Sequence, residues 1–132
     1  MADTETPLAG MRCLVLDDEL LIALDIQQTL ETAGATVVCA GNASAALKEI
    51  DSSAHFDFAV IDVMLKGTTA NSFAIAAALV ERQIPFVFLT GLRTQDMEHA
   101  VHFPHAPVVE KPYQTAQLLA AIARVLDGKA RT

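Results

Sequence analysis

Apolar residues fall along this chain in two alternating textures. Short unbroken runs, rich in β-branched and aromatic residues, occur at "RCLVLD" (12–17), "TVVCA" (36–40), "DFAVIDV" (57–63), "FVFLT" (86–90) and "PVVE" (107–110). Between them lie longer stretches in which apolar residues return every three or four positions, the spacing of one helix face. The first, 19–34, carries Ile22, Ile26, Leu30 and Ala33 on one stripe and is stopped by Gly34. The second, 42–53, has Asn42 as its N-cap. The third, 70–83, is Ala-rich and ends before Pro85. A weak polar helix spans 93–102 and stops before Pro104, and a last one, 115–128, aligns Leu118, Ile122 and Val125 ahead of Gly128.

Five strand–helix units in strict alternation predict an α/β fold, a doubly wound parallel sheet with helices on both faces. Unbroken apolar strands agree, because a parallel sheet is covered on both sides. There is no internal repeat, low-complexity segment or linker. Residues 1–10 are expected to be disordered, 11–128 to form one domain, and 129–132 to be a short tail.

Composition narrows the partners. The chain has 132 residues, is 52% hydrophobic, and carries a net charge of −7. It lacks the Lys and Arg clusters that grip phosphate backbones, which argues against nucleic acid. No stretch approaches the ~18 apolar residues of a membrane span, and the acidic start is not a signal peptide. Cys13 and Cys39 both lie in apolar runs and are expected to be buried, reduced thiols of a cytoplasmic protein.

In a doubly wound sheet, ligands bind beyond the carboxyl ends of the strands. The first strand ends in Asp17 and Asp18, the third in Asp62, the fourth in Thr90, and the fifth runs into Lys111. Like charges about 4 Å apart repel by roughly 4 kcal/mol at an effective dielectric near 20, so clustered carboxylates call for a cation. An oxygen-only donor set suits Mg²⁺. With Lys111 opposite, the pocket attracts a phosphoryl group, and Asp62 is placed to accept it as an aspartyl phosphate. Thr90 would donate a hydrogen bond to one phosphoryl oxygen and Lys111 would neutralise another. Taken singly, Asp18 serves equally well as a helix N-cap, Asp62 as a turn residue, Thr90 in a structural role, and Lys111 as a solvated surface lysine.

"DDE" after the first strand, a lone Asp after the third, Thr after the fourth and "KP" after the fifth stand in the order seen in response-regulator receiver domains of two-component signalling. The chain resembles that family over about residues 11–127. The resemblance implies a flavodoxin-like sheet of strand order 2-1-3-4-5. It implies phosphorylation of Asp62 by a histidine kinase or histidine phosphotransferase. Asp18, Asp62 and the backbone carbonyl of Met64 would hold Mg²⁺, with Asp17 helping through water. The Lys111–Pro112 peptide would be cis. "PFVFLTG" further resembles the FATGUY receiver subgroup, often found as single domains. The implied role is a stand-alone signalling switch rather than a metabolic enzyme, passing its state to an unidentified downstream protein or acting as a phosphate shuttle or sink. The outer face of the last helix offers a surface for a partner or a second copy.

The sequence also departs from the family. The aromatic that usually lies three residues before the Lys is replaced by Val108, and Tyr113 follows Lys–Pro instead. Output is therefore expected from rearrangement of residues 91–106. Met64 and Leu92, at the positions that tune phosphoryl lifetime, are apolar and cannot orient water; Lys66 stands where Pro or Gly is frequent. His99, His102 and His105 fit no closed zinc site, and His55 is expected in a loop. An Asp-nucleophile phosphatase would want an acid where Met64 stands. An FMN phosphate would be repelled by the acidic edge. A receiver-like interaction module that no longer takes phosphate is the remaining alternative.

Overall fold

The computed structural model describes residues 6–52, 55–63, 70–91, 103 and 106–130. The elements run β1 (Arg12–Leu16), α1 (Leu20–Thr32), β2 (Thr36–Ala40), α2 (Ala43–Asp51), β3 (Phe58–Asp62), α3 (Ala70–Glu81), β4 (Phe86–Thr90), β5 (Val108–Glu110) and α4 (Thr115–Ala130). All strand pairs are parallel, in the order β2-β1-β3-β4-β5, the flavodoxin-like arrangement. The helix expected over 93–102 lies outside the described residues.

Alternation along the strands divides the core in two. Leu14, Leu16, Ala59, Ile61, Phe86 and Phe88 face α2 and α3, where Ala46, Ile50, Ile75, Ala76 and Leu79 meet them. Cys13, Val15, Phe58, Val60, Val87 and Leu89 face α1 and α4, against Ile26, Leu30, Leu118 and Ile122. Both faces of β3 and β4 are therefore dry, which is why their sequences show no polar alternation. Near β5, Phe103 is half-buried among Phe73, Phe86 and Phe88, with ring centroids 5.9–6.0 Å apart.

Helix ends follow their sequence signals in part. The Asn42 side chain accepts the Ala45 N–H at 2.8 Å, a working N-cap. Gly34 takes φ +105° and closes α1. Gly128 does not stop α4, which continues to Ala130. A glycine ends a helix only where the chain turns left-handed, and Gly128 does not.

Two expectations about burial need correction. Residues 6–10 are not disordered: they turn back onto the sheet, Leu8 is buried, and its N–H donates to Ala33 O at 2.8 Å. Gly34 permits this approach, because a Cβ there would stand 2.9 Å from the Ala9 backbone. Cys39 is exposed rather than buried. It sits on β2, the sheet edge, where an apolar run does not guarantee cover; its thiol donates to Gln27 Oε1 at 3.4 Å.

Candidate functional site

Strand register assembles the acidic cluster. Leu16 pairs with Ile61, so the next residues, Asp17 and Asp62, leave the sheet side by side. Both belong to the α1–α4 face by alternation, continuing Val15 and Val60. Both are buried, at 2% and 5% exposure, and Asp18 is half-buried. Carboxylate oxygens of Asp17, Asp18 and Asp62 lie within 4.8 Å of one another.

Lys111 answers them from the end of β5, two strands from Asp62 and three from Asp17. Its Nζ lies 3.4 Å from Asp17 Oδ2 and 3.6 Å from Asp62 Oδ1. To get there its stem crosses the end of β4, and extending the Thr90–Glu110 register by one residue sets Gly91 beside it. The Lys111 N–H donates to Thr90 O at 2.7 Å, and the Lys111–Pro112 peptide is cis. Downstream, the Tyr113 hydroxyl donates to Asp25 Oδ2 at 2.9 Å, tying this turn to α1. Burial, then the hydrogen bond to Asp25, pushes the Tyr113 phenol up to about 12.

Asp17 has a second task. Its Oδ1 accepts the Glu19 N–H at 2.9 Å and so shapes the entry to α1. The N-cap of α1 is Glu19, which makes no side-chain cap bond, so Asp18 is not the helix cap its residue type allows. Thr90 stands fully buried at the end of β4, on the side of Phe86 and Phe88. Val108 lies beside Phe88 and is half-buried, packed on the α2–α3 core. His55 is exposed and pairs with Asp57 at 3.0 Å, ahead of β3 and at the opposite end of that strand from Asp62. Met64, Lys66, Leu92, His99, His102 and His105 lie outside the described residues.

Among the described residues one lysine meets three carboxylates. The donor set is oxygen throughout, compact and partly dry, and it fits a hard divalent cation such as Mg²⁺. Two contributors escaped the sequence reading. The Tyr113–Asp25 tether joins residues 88 apart and has no local signal. Ser72 is fully buried in α3, and its Oγ donates to Val63 O at 2.7 Å, directly after Asp62. That residue did leave a trace: a hydroxyl on the same helical stripe as Ile75, Ala76 and Leu79.

Among the described residues no helix is long and apolar enough to cross a membrane. No curated protein matches the chain by sequence. Among solved structures, a response regulator receiver protein from Sinorhizobium medicae is 27% identical, covers 90% of this chain and 96% of its own, and superposes with a TM-score of 0.80. A receiver domain protein from Methanospirillum hungatei (24% identity, 92% and 97% coverage, TM-score 0.78) and a Francisella response regulator receiver domain (22%, 89% and 98%, 0.74) share the fold. The family model described as the response regulator receiver domain matches residues 13–123. With that match across most of its length, and with the acids, hydroxyl and lysine gathered at one sheet edge, the chain belongs to the receiver-domain family of response regulators.

Proposed function

We propose that this receiver is a phosphorylation switch in which Asp62 accepts a phosphoryl group from the phosphohistidine of a histidine kinase or phosphotransferase. The observation that carries the reading is the juxtaposition of three carboxylates, within 4.8 Å, with a lysine bridging two of them. Asp17, Asp18 and Asp62 would hold Mg²⁺, together with the Met64 carbonyl that family resemblance implies. The cation supplies positive charge for the incoming phosphoryl oxygens. Asp62 supplies the nucleophilic oxygen: its bond to phosphorus forms as the phosphorus–nitrogen bond of the donor breaks, and the departing imidazole keeps the electron pair and takes up a proton. Lys111, held by Asp17, stays poised beside Asp62 to neutralise the added charge. Thr90 would donate to a phosphoryl oxygen from the end of the same strand.

The phosphorylated form would bind a downstream protein differently, because added charge at a strand end shifts a two-state equilibrium. The chemistry is confined to the protein's own phosphorylation and slow dephosphorylation; no small substrate is turned over. The Phe88-x-Thr90-Gly91 ending of β4 supports placement among FATGUY-type receivers.

Incubation with acetyl phosphate and Mg²⁺, followed by intact mass, tests this. One phosphoryl group should be added, and the gain should vanish in Asp62→Asn and in EDTA. An unmodified mass in the wild-type protein would point instead to an interaction module that no longer takes phosphate, the alternative that Val108 leaves open.

A further inference from the structure

The β3 end that carries Asp62 stands among like charges that Lys111 offsets in part. Its ladder with β1 covers Phe58–Ile61 and stops there, so Asp62 projects past the last β1 pair. Beside it stand Asp17 and Asp18, whose charges push against it. On the other side the strand is tied to β4: the Val63 N–H donates to Leu89 O at 3.0 Å. The Val63 carbonyl is held from above, by Ser72 Oγ at 2.7 Å. The residue after Asp62 is thus fixed at both its polar groups, one by the sheet and one by α3.

Ser72 is a buried hydroxyl on an otherwise apolar stripe of α3. Ala is the better helix former, and a buried hydroxyl costs stability unless it is bonded. The buried neighbours of Ser72 on that stripe, Ile75, Ala76 and Leu79, are all apolar. A helical Ser commonly bonds back to a carbonyl four residues earlier in its own helix. Position 68 precedes the start of α3 at Ala70, and the hydroxyl reaches Val63, nine residues back.

We propose that Ser72 is a positioning residue for the cation and phosphoryl site: its hydroxyl fixes the strand end so that the Asp62 carboxylate stays with those of Asp17 and Asp18 despite their repulsion. The proposal rests on the switch reading above and assigns one residue's part in it. Without the bond, Asp62 relaxes away from its neighbours, and binding a cation would carry the added cost of bringing the carboxylates together again.

The test is calorimetric titration of the full chain with Mg²⁺, alongside phosphorylation by acetyl phosphate at saturating Mg²⁺ and thermal melts. Ser72→Ala should bind Mg²⁺ more weakly by roughly 3- to 10-fold, the range one hydrogen bond's net contribution spans. Ser72→Thr keeps the hydroxyl and should restore affinity to within about two-fold even if its extra methyl lowers the melting temperature. Ile75→Val, a packing change on the same helix, should lower the melting temperature and leave Mg²⁺ affinity alone. Ser72→Cys, close in volume and a weak donor, repeats the measurement should the Ala variant unfold. Wild-type affinity in Ser72→Ala, or an equal loss in Ser72→Thr or Ile75→Val, overturns the positioning role while the switch reading stands. A wild-type protein that binds no Mg²⁺ and gains no phosphoryl group overturns both.

Discussion

Cys13 and Cys39 look alike in sequence, each an isolated thiol in a run of β-formers, and the fold separates them. Cys13 on β1 is fully buried, and burial pushes its thiol up to about 12, with Cys39, Asp57 and Glu31 adding in the same direction. Cys39 is exposed on the edge strand, yet partial burial and then Glu31 still raise its thiol above the ordinary 9.0. The thiolate is the reactive form. Iodoacetamide at neutral pH should therefore label Cys39 alone, more slowly than a free thiol, and Cys13 only after unfolding; intact mass distinguishes them, and equal labelling of both in the native protein contradicts the assignment. The raised thiol also sets a pH dependence. Folded Cys13 keeps its proton to about 12 while the unfolded chain loses it near 9.0, so the unfolded state gains from ionisation first. This contribution is present in full below about pH 9 and is lost as pH climbs toward 12. Tyr113, raised from 10.0 to about 12, acts in the same sense. Melting temperatures should fall across that alkaline window, with a shallower slope in Cys13→Ala. At this scale the sequence identifies the residue but not its exposure, because that depends on which strand becomes the edge.

Helix ends show how far local signals reach. α1 and α3 close in the same way, each with a left-handed residue flanked by a pair of capping bonds. At α1, Gly34 N–H donates to Glu31 O and Ala35 N–H to Leu30 O; at α3, Gln83 N–H donates to Val80 O and Ile84 N–H to Leu79 O. The left-handed position is glycine in one (φ +105°) and glutamine in the other (φ 60°). A Cβ in this conformation costs roughly 1–2 kcal/mol, partly offset by the greater freedom glycine has when unfolded. Gln83→Gly should therefore raise stability by about 0.5–1 kcal/mol in urea titration. Gln83→Ala should bring no gain, and a loss in the glycine variant would contradict the account. The Gly34 stop was readable because glycine marks it; the α3 end was readable only through Pro85. Gly128 misled, since its backbone never turns left-handed. Residues 6–10 misled in the other direction: one leucine among polar residues has no periodicity, and its burial depends on the close approach that Gly34 allows. The site was more legible than these ends, because a parallel sheet brings every strand's carboxyl terminus to one edge. The partner of each group was not, since Lys111, Tyr113 and Ser72 find theirs through register and helix packing rather than spacing.

Taken whole, the molecule carries seven more formal negative charges than positive and, among the described residues, concentrates three carboxylates where one lysine meets them. Such a cluster opposes its own fold, and a cation bound by the native state alone reverses the balance by RT ln(1 + [L]/Kd). Mg²⁺ at a hundred times its Kd should then stabilise the fold by about 2.7 kcal/mol, more than Na⁺ at matched ionic strength, which only screens. The acids should not respond alike to neutralisation. Asp17 is buried, accepts the Glu19 N–H and faces Lys111, so Asp17→Asn removes a charge the structure uses and should lower the melting temperature with or without Mg²⁺. Asp18 is half-buried and does not cap α1. Asp18→Asn removes one of three like charges and breaks neither Lys111 pair, so it should cost the metal-free protein less than Asp17→Asn does. It should also blunt the Mg²⁺ gain, because the variant has lost a ligand. Melts of both variants with and without the metal read these outcomes directly. If Asp18→Asn destabilised the metal-free protein as much as Asp17→Asn did, the cluster would be held by its own contacts rather than strained by its charge, and the case for a cation as its missing counter-charge would fail.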